Sequence, residues 1–222
     1  MKTGSVNRKF APIPRMAAHG GVLGLLVLLA GCTSLLGGSK KATTIYAPDA
    51  HAQAMQEWPQ VRWQLAMGRA SGARSADSLR IMVRPTPNEL QVYKDAQWSK
   101  SPGDMLEDGV LHALEDSGRI AVVARQGSGF ASDYRLLLDV RRFESDYAGA
   151  AIPSATIEVT AKLLHVKDQQ LAGSRTFLKT QPAATTAVPD VVAAFEQALT
   201  SISGELAGWT LVTGEQHEHP QR

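Results

Sequence analysis

The first 31 residues are not expected to take part in the folded protein. No acidic residue precedes Cys32, and an apolar run covers residues 22–30. The basic residues ahead of that run are Lys2, Arg8, Lys9 and Arg15. A basic stretch, a short apolar stretch and small residues at its end are typical of a secretory signal that is removed. The run is about half as long as the roughly 20 apolar residues that a membrane-spanning helix needs.

The residues that end this segment carry a more specific signal. The order Leu29-Ala30-Gly31-Cys32 resembles a bacterial lipobox, in which the cysteine is acylated and the chain is cut just before it. The resemblance implies cleavage between Gly31 and Cys32 and a covalent lipid on Cys32. Two or more acyl chains on that cysteine would hold the protein on a membrane. The alternative is an ordinary secretory signal with a chance cysteine. Thr33 stands where Asp is the usual signal for retention in the inner membrane of Gram-negative bacteria, so we expect an outer-membrane anchor and a domain facing the periplasm.

Charge and cysteine content exclude several classes of protein once residues 1–31 are removed. That segment holds four of the 23 basic residues and none of the 21 acidic ones, so the remainder has a formal net charge of −2. Nucleic acid is therefore not an expected partner. Cys32 is the only cysteine, which leaves no intramolecular disulfide and no thiolate metal site.

The remaining chain suits one domain and a tether. Residues 32–59 lack a sustained apolar period and predict a flexible tether, in which Tyr46 and Trp58 are exceptions that dock on the domain or on another protein. A tether of about 27 residues would typically span roughly 30 Å, with a taut limit near about 90 Å. Residues 60–212 are the predicted domain, and the polar residues 213–222 predict a disordered tail.

Alternating patterns predict a mostly antiparallel sheet. Residues 63–67, 78–83 and 90–93 are short strand candidates, and residues 120–124 are another. The clearest pattern places Tyr134, Leu136, Leu138 and Val140 on one face, and residues 157–163 repeat it. Residues 167–170 form a predicted reversal, after which residues 171–179 return antiparallel.

Two amphipathic helices complete the prediction. Ser101 and Pro102 are the expected N-cap and first residue of a helix that Gly118 ends. Pro189 opens the second helix, whose apolar residues recur every three or four positions up to Trp209. The expected fold is a single α+β domain, with both helices packed on one face of the sheet.

Motifs for nucleotide binding and catalysis are absent from the sequence. No phosphate-binding loop and no nucleotide-binding glycine motif occurs. Gly127-Ser128-Gly129 lacks the spacing of a nucleophile elbow and predicts a turn.

His217-Glu218-His219 would be a poor metal site on a terminal tail, and His112 and His165 are expected to serve packing. The carboxylates Asp133, Asp139, Glu144 and Asp146 alternate with arginines, so charge pairing across strands is the preferred interpretation. We therefore expect no enzyme, no metal and no cofactor besides the lipid on Cys32.

Several short stretches, taken together and in order, resemble the ABC-type transport auxiliary lipoproteins, a family that includes the PqiC-type intermembrane transport lipoproteins. These stretches are Leu29-Ala30-Gly31-Cys32, Trp63-Gln64-Leu65, Asp77-Ser78-Leu79-Arg80-Ile81, Leu90-Gln91-Val92-Tyr93 with Trp98, Glu115-Asp116-Ser117-Gly118-Arg119, Asp133-Tyr134-Arg135-Leu136, Phe143-Glu144 with Tyr147, and the helix reaching Trp209. The resemblance implies a component of a phospholipid trafficking system. Its implied partners are a periplasmic protein with a mammalian-cell-entry (MCE) domain and, through it, an inner-membrane ABC permease and ATPase.

Three hypotheses of function follow. The first is a non-catalytic docking module, for which Tyr93, Trp98, Phe143 and Tyr147 are candidate contacts, because aromatic residues near loops often anchor interfaces. Their alternative role is core packing. The second hypothesis is a carrier that holds acyl chains between helices and sheet, and the third is a structural envelope lipoprotein that self-associates.

Overall fold

Three long strands form the antiparallel half of the sheet in this computed structural model, which describes residues 42–219. They are β7 (Tyr134–Asp146), β8 (Ser154–His165) and β9 (Leu171–Pro182). Leu136 lies opposite Leu163 and Phe143 opposite Ile157, and all four side chains are buried against the helices. The alternating pattern and the reversal before β9 are confirmed. The signal segment, Cys32 and the start of the tether lie outside the described residues.

The other edge of β7 is shared by three strands in succession. β2 (Leu65–Met67), β3 (Ser71–Gly72) and β4 (Arg80–Thr86) each pair with β7 in parallel. β5 (Glu89–Trp98) joins β4 in an antiparallel hairpin, β1 (Thr44–Tyr46) pairs with β5, and β6 (Val123–Arg125) pairs with β2. The result is one sheet of nine strands. The predicted α+β class and the mostly antiparallel pairing are confirmed.

The first helix has the predicted bounds because its caps are encoded locally. Helix α1 (Pro102–Ser117) begins after Ser101, whose hydroxyl accepts a hydrogen bond from the backbone N–H of Asp104 at 3.2 Å. Gly118 ends the helix with φ of 62° and donates its N–H to the carbonyl of Glu115. The buried side of α1, which includes Leu106, Val110 and Leu114, packs into the core.

The second helix, α2 (Val188–Glu218), is longer than predicted. Within residues 42–219, no helix is long and apolar enough to cross a bilayer. The prediction of a disordered tail is wrong for residues 213–218, which continue α2. Two contacts explain this: Trp63 packs over Gly214, and the hydroxyl of Tyr134 donates a hydrogen bond to Glu218 at 2.8 Å. Burial raises the pKa of Tyr134, so its hydroxyl stays a donor.

The prediction of a tether over residues 32–59 is wrong from residue 44 onward. The chain joins the domain there, because β1 is part of the sheet. Residues 47–57 then cross the two helices, with Ala50 near Gly109 of α1 and Ala52 near Gly204 of α2. Trp58 is buried and packs on Gly208 of α2. Of the two alternatives for Trp58, docking on the domain is the one observed. The polar composition of residues 47–57 gives no sign of the other contacts, because these depend on small residues far along the chain. Only residues before β1 remain for a tether.

Gly208→Ala tests the packing of residues 47–58. A methyl group added there would lie 2.5 Å from Nε1 and 2.9 Å from Cε2 of Trp58, so the indole must move. We expect the free energy of unfolding to fall by about 1–3 kcal/mol, the usual cost of overpacking. Proteolysis in residues 47–57 should become faster, and urea denaturation gives the stability.

Gly204→Ala is the matched control in the same helix. Its added methyl group would meet only Cβ of Ala52, at the ordinary contact distance of 3.4 Å. The higher helix propensity of alanine should make this variant neutral or more stable by about 0.5–1 kcal/mol. Equal destabilisation by both substitutions would contradict the packing of Trp58 on Gly208.

Candidate functional site

Two of the four candidate contact residues belong to the core. Trp98 is 1% exposed and Phe143 is 2% exposed. Both rings pack with Phe195 of α2: Phe143 is stacked on it at a centroid distance of 4.8 Å, and Trp98 meets it edge-on at 5.2 Å. The interface prediction is wrong for Trp98 and Phe143, because a partner cannot reach them on the folded domain.

Tyr93 and Tyr147 are partly buried and lie close to one end of the sheet. The hydroxyl of Tyr93 is 3.0 Å from Oγ of Ser145, and burial raises the pKa of Tyr93. Tyr147 directly follows β7 and donates its backbone N–H to the carbonyl of Arg84 at 3.1 Å. Their role as partner contacts stays a prediction.

Two connections at the same end of the sheet lack charged residues, whereas the β4–β5 turn there carries the exposed Glu89. Residues 147–153 join β7 to β8, and residues 183–187 join β9 to α2, with Pro182 ending β9 and residues 188–189 beginning α2. They meet because Ser154 pairs with Pro182 and the N–H of Ala183 donates to the carbonyl of Pro153 at 3.0 Å. We call residues 147–153 and 182–189 the uncharged end. The sequence signal for it is a lack of charge in two segments of a chain in which 20% of residues are charged.

A network of ion pairs joins β4 to the last residues of β7, next to the uncharged end. Glu144 accepts two hydrogen bonds from Arg84, at 2.8 and 2.9 Å, and one from Nε of Arg142 at 2.8 Å. Arg142 also pairs with Asp146. Burial alone would raise the pKa of Glu144, but the hydrogen bonds from the two arginines outweigh it and lower that pKa. The two carboxylates Glu144 and Asp146 therefore balance the two guanidinium groups of Arg84 and Arg142.

β1 joins the sheet beside the last residues of β5. β1 runs parallel to β5, with Thr44 opposite Ala96 and Tyr46 opposite Trp98. β5 begins at the turn after Thr86, beside the end of β7, because β4 pairs with Ser145 and Asp146.

The remaining candidate residues serve structural contacts. Asp133 accepts a hydrogen bond from the backbone N–H of Gln64 at 2.8 Å, and His165 pairs with Asp168 at 2.9 Å. Nδ1 of His217 lies 2.7 Å from the hydroxyl of Tyr134. Among residues 42–219, no group of three or more acidic, histidine or cysteine side chains is placed to hold a metal ion.

Three surface clefts are open and partly charged. One of about 260 Å³ lies under residues 47–50 and includes Lys100 and Asp108. The others, of about 570 and 520 Å³, are lined in part by Glu215 and Glu218 and by Glu107 and Arg125. These linings suit polar contacts better than acyl chains.

Comparison with known proteins identifies the family. The family model described as "ABC-type transport auxiliary lipoprotein component" matches residues 44–207. The chain belongs to this family. The match begins at the first residue of β1, which agrees with the finding that β1 is part of the domain. No functionally curated protein matches the chain.

Solved structures support the same assignment. Protein XCC0632 from Xanthomonas campestris is 56% identical, with a TM-score of 0.76, and the alignment covers 79% of this chain and 99% of that one. A second solved protein, uncharacterised and 15% identical, has a TM-score of 0.59, with 75% of this chain and 97% of that chain covered. The second likeness shows the fold alone. The family is one of auxiliary lipoprotein components of ABC-type transport.

Proposed function

We propose that this protein is an outer-membrane-anchored docking component of an ABC and MCE-type phospholipid trafficking system. The observation that carries the proposal is the family match, which runs from β1 well into α2 and so includes every strand of the sheet. In this proposal the domain is not catalytic. It receives the end of a periplasmic MCE-domain protein, and the inner-membrane permease and ATPase supply the energy.

The anchor in this proposal is the lipid on Cys32. Residues 33–43 would link it to β1, a reach of at most roughly 40 Å and typically about 20 Å. This distance is about half of what a tether ending at residue 59 would allow. The domain is therefore held close to its membrane, and the partner has to bring its own end to it.

The polar linings of the clefts favour docking over lipid carriage. Acyl chains need an apolar cavity, whereas each of the three clefts carries charged side chains. The ion pairs of Glu144 and the packing of Trp98 stabilise the fold and leave these side chains unavailable to bind a lipid. Clefts with charged and polar linings suit contacts with another protein.

The test is a cross-linking and pull-down experiment on the native lipoprotein in cells, beside Cys32→Ala. We expect the native protein to recover an MCE-domain protein and to fractionate with the outer membrane. Cys32→Ala should lose both properties because it cannot be acylated. Mass spectrometry identifies the partners and the acylated peptide.

Thr33→Asp is the matched control, because it keeps the acylated cysteine and changes only the sorting residue. We expect it to remain membrane-bound but to move to the inner membrane. Recovery of unrelated envelope proteins alone, by the native protein, would contradict the docking role. An outer-membrane location of Thr33→Asp would contradict the proposed basis of sorting.

A further inference from the structure

We propose that a partner protein docks on the free edge of β9 by adding an extended, acidic segment of its own as a further strand of the sheet. The β9 edge is the side of β9 (Leu171–Pro182) that faces away from β8. This inference rests on the docking role of the proposed function. It adds the place on the domain where docking occurs and the chemistry of the segment that docks.

The backbone of β9 is open along this edge. Within residues 42–219, β8 is the only strand that pairs with β9, and no other backbone segment hydrogen-bonds to it. β9 has 12 residues, whereas β6 has three and β5 is partly covered by β1. An open edge presents a row of N–H and C=O groups, and an extended chain can pair with that row. The length of β9 makes it the most complete template of these three strands.

The side chains beside the edge are of the kind that anchor interfaces. Arg175 is exposed, and its guanidinium carbon lies 4.7 Å from the centre of the Phe177 ring. Phe177 in turn meets the partly buried Trp209 of α2 edge-on, at 5.8 Å between ring centres. A strand added about 4.8 Å from β9 would bring its own side chains against Arg175 and Trp209. Arginine and tryptophan are enriched among the residues that contribute most to binding.

Charge selects an acidic segment rather than a second copy of this chain. β9 contains two basic residues, Arg175 and Lys179, and no acidic residue. Lys179 pairs with Glu205 of α2 at 2.5 Å, whereas Arg175 has no acidic partner among the described residues. A carboxylate on the added strand would therefore pair with Arg175. Two β9 strands paired antiparallel around Phe177 would place Arg175 opposite Lys179, and like charges in that position destabilise the pair.

The experiment uses the full-length, acylated protein in cells. A photoreactive benzophenone amino acid replaces Ser174, which is exposed on β9 beside Arg175. The same amino acid at Glu115, an exposed position on α1, is the control. We expect position 174 to capture the MCE-domain protein through a segment that carries an aspartate or glutamate, and position 115 to capture nothing. Mass spectrometry of the cross-linked peptides identifies that segment.

Arg175→Glu, combined with the photoreactive group at position 174, tests the charge. We expect the yield of captured partner to fall about tenfold or more, because like charges now face each other. Lys167→Glu makes the same change of charge in the exposed β8–β9 turn and should leave the yield unchanged. Replacement of the partner's carboxylate by lysine should restore capture by Arg175→Glu. Thermal unfolding verifies that each variant is folded, and Arg175→Gln, which only removes the charge, should give an intermediate loss.

Hydrogen exchange tests the addition of a strand. In the complex with the captured partner, exchange should become slower at residues 173–181, because the partner strand occupies their outward N–H groups. Unchanged exchange at these residues would overturn the pairing of strands.

A chemical cross-linking arm separates this inference from the proposed function. If chemical cross-linking of the native protein recovers no MCE-domain protein, the docking role is wrong and the inference falls with it. If that protein is recovered but position 174 captures nothing, captures a second copy of this chain or captures a segment without acidic residues, only the β9 edge is overturned. Equal capture by the native protein and Arg175→Glu would likewise overturn the role of charge.

Discussion

Trp98→Ala is expected to lower the free energy of unfolding by about 3–5 kcal/mol, the range for buried tryptophan or phenylalanine replaced by alanine. The indole is 1% exposed and lies among Phe143 and Phe195, so its removal leaves a cavity that these stacked rings cannot fill. In a domain of about 150–250 residues, each kcal/mol corresponds to roughly 2–4 °C in Tm. We therefore expect Tm to fall by roughly 10 °C, measured by circular dichroism beside urea denaturation.

Leu178→Ala is the control for this loss of apolar volume. Leu178 is 58% exposed on β9, so its truncation should change stability by no more than about 0.5 kcal/mol. A Trp98→Ala protein as stable as the native one, yet unable to bind a partner, would contradict the core assignment. It would restore Trp98 as an interface residue.

The core role of Phe143 shows where alternation along a strand misleads. Tyr134, Leu136, Leu138 and Val140 face the helices, and a strict period of two would place residue 143 on the other face. The register of β7 against β8 shifts between Val140 and Arg142, which returns Phe143 to the buried face. A bulge of this kind has no reliable signal in a single sequence, so the sequence leaves Phe143 a candidate contact with core packing as its alternative.

Elements with local signals were predicted correctly. The bounds of α1 follow from Ser101, Pro102 and Gly118, which act within one turn of the residues that they cap. β1 has no comparable signal, because three residues fix no period and Ile45 pairs with Gln97, which lies far along the chain. The sequence therefore predicts a tether that is too long, because the residues that pair with β1 lie far from it along the chain.

The uncharged end was missed for the same reason. Residues 147–153 and residues 182–189 each look like ordinary turns, and only the pairing of Ser154 with Pro182 makes them one surface. Tyr147, which the sequence did single out, lies at the start of this surface.

Glu144→Gln is expected to have the second large effect on stability. The carboxylate accepts three hydrogen bonds from Arg84 and Arg142, and its side chain is 6% exposed. Removing one partner of a buried ion pair costs about 3–5 kcal/mol. Because the arginine side chains are 25% and 32% exposed and keep some water, we expect a loss near the lower limit, about 3 kcal/mol.

The effect of Glu144→Gln should depend on pH in a defined direction. The two arginines outweigh burial and lower the pKa of Glu144 in the folded protein, so the unfolded chain takes up its proton first as the pH falls. The stabilisation is complete above the ordinary glutamate pKa of about 4.3 and is lost as the pH falls through the lower folded value. Urea denaturation should give a difference between native protein and Glu144→Gln that is constant from neutral pH to about pH 5 and shrinks below about pH 4. Glu115→Gln, at an exposed position on α1, is the control and should change stability at neutral pH by no more than about 0.5 kcal/mol. A Glu144→Gln difference that persists undiminished in acid would mean that the ionised carboxylate does not stabilise this end of the sheet.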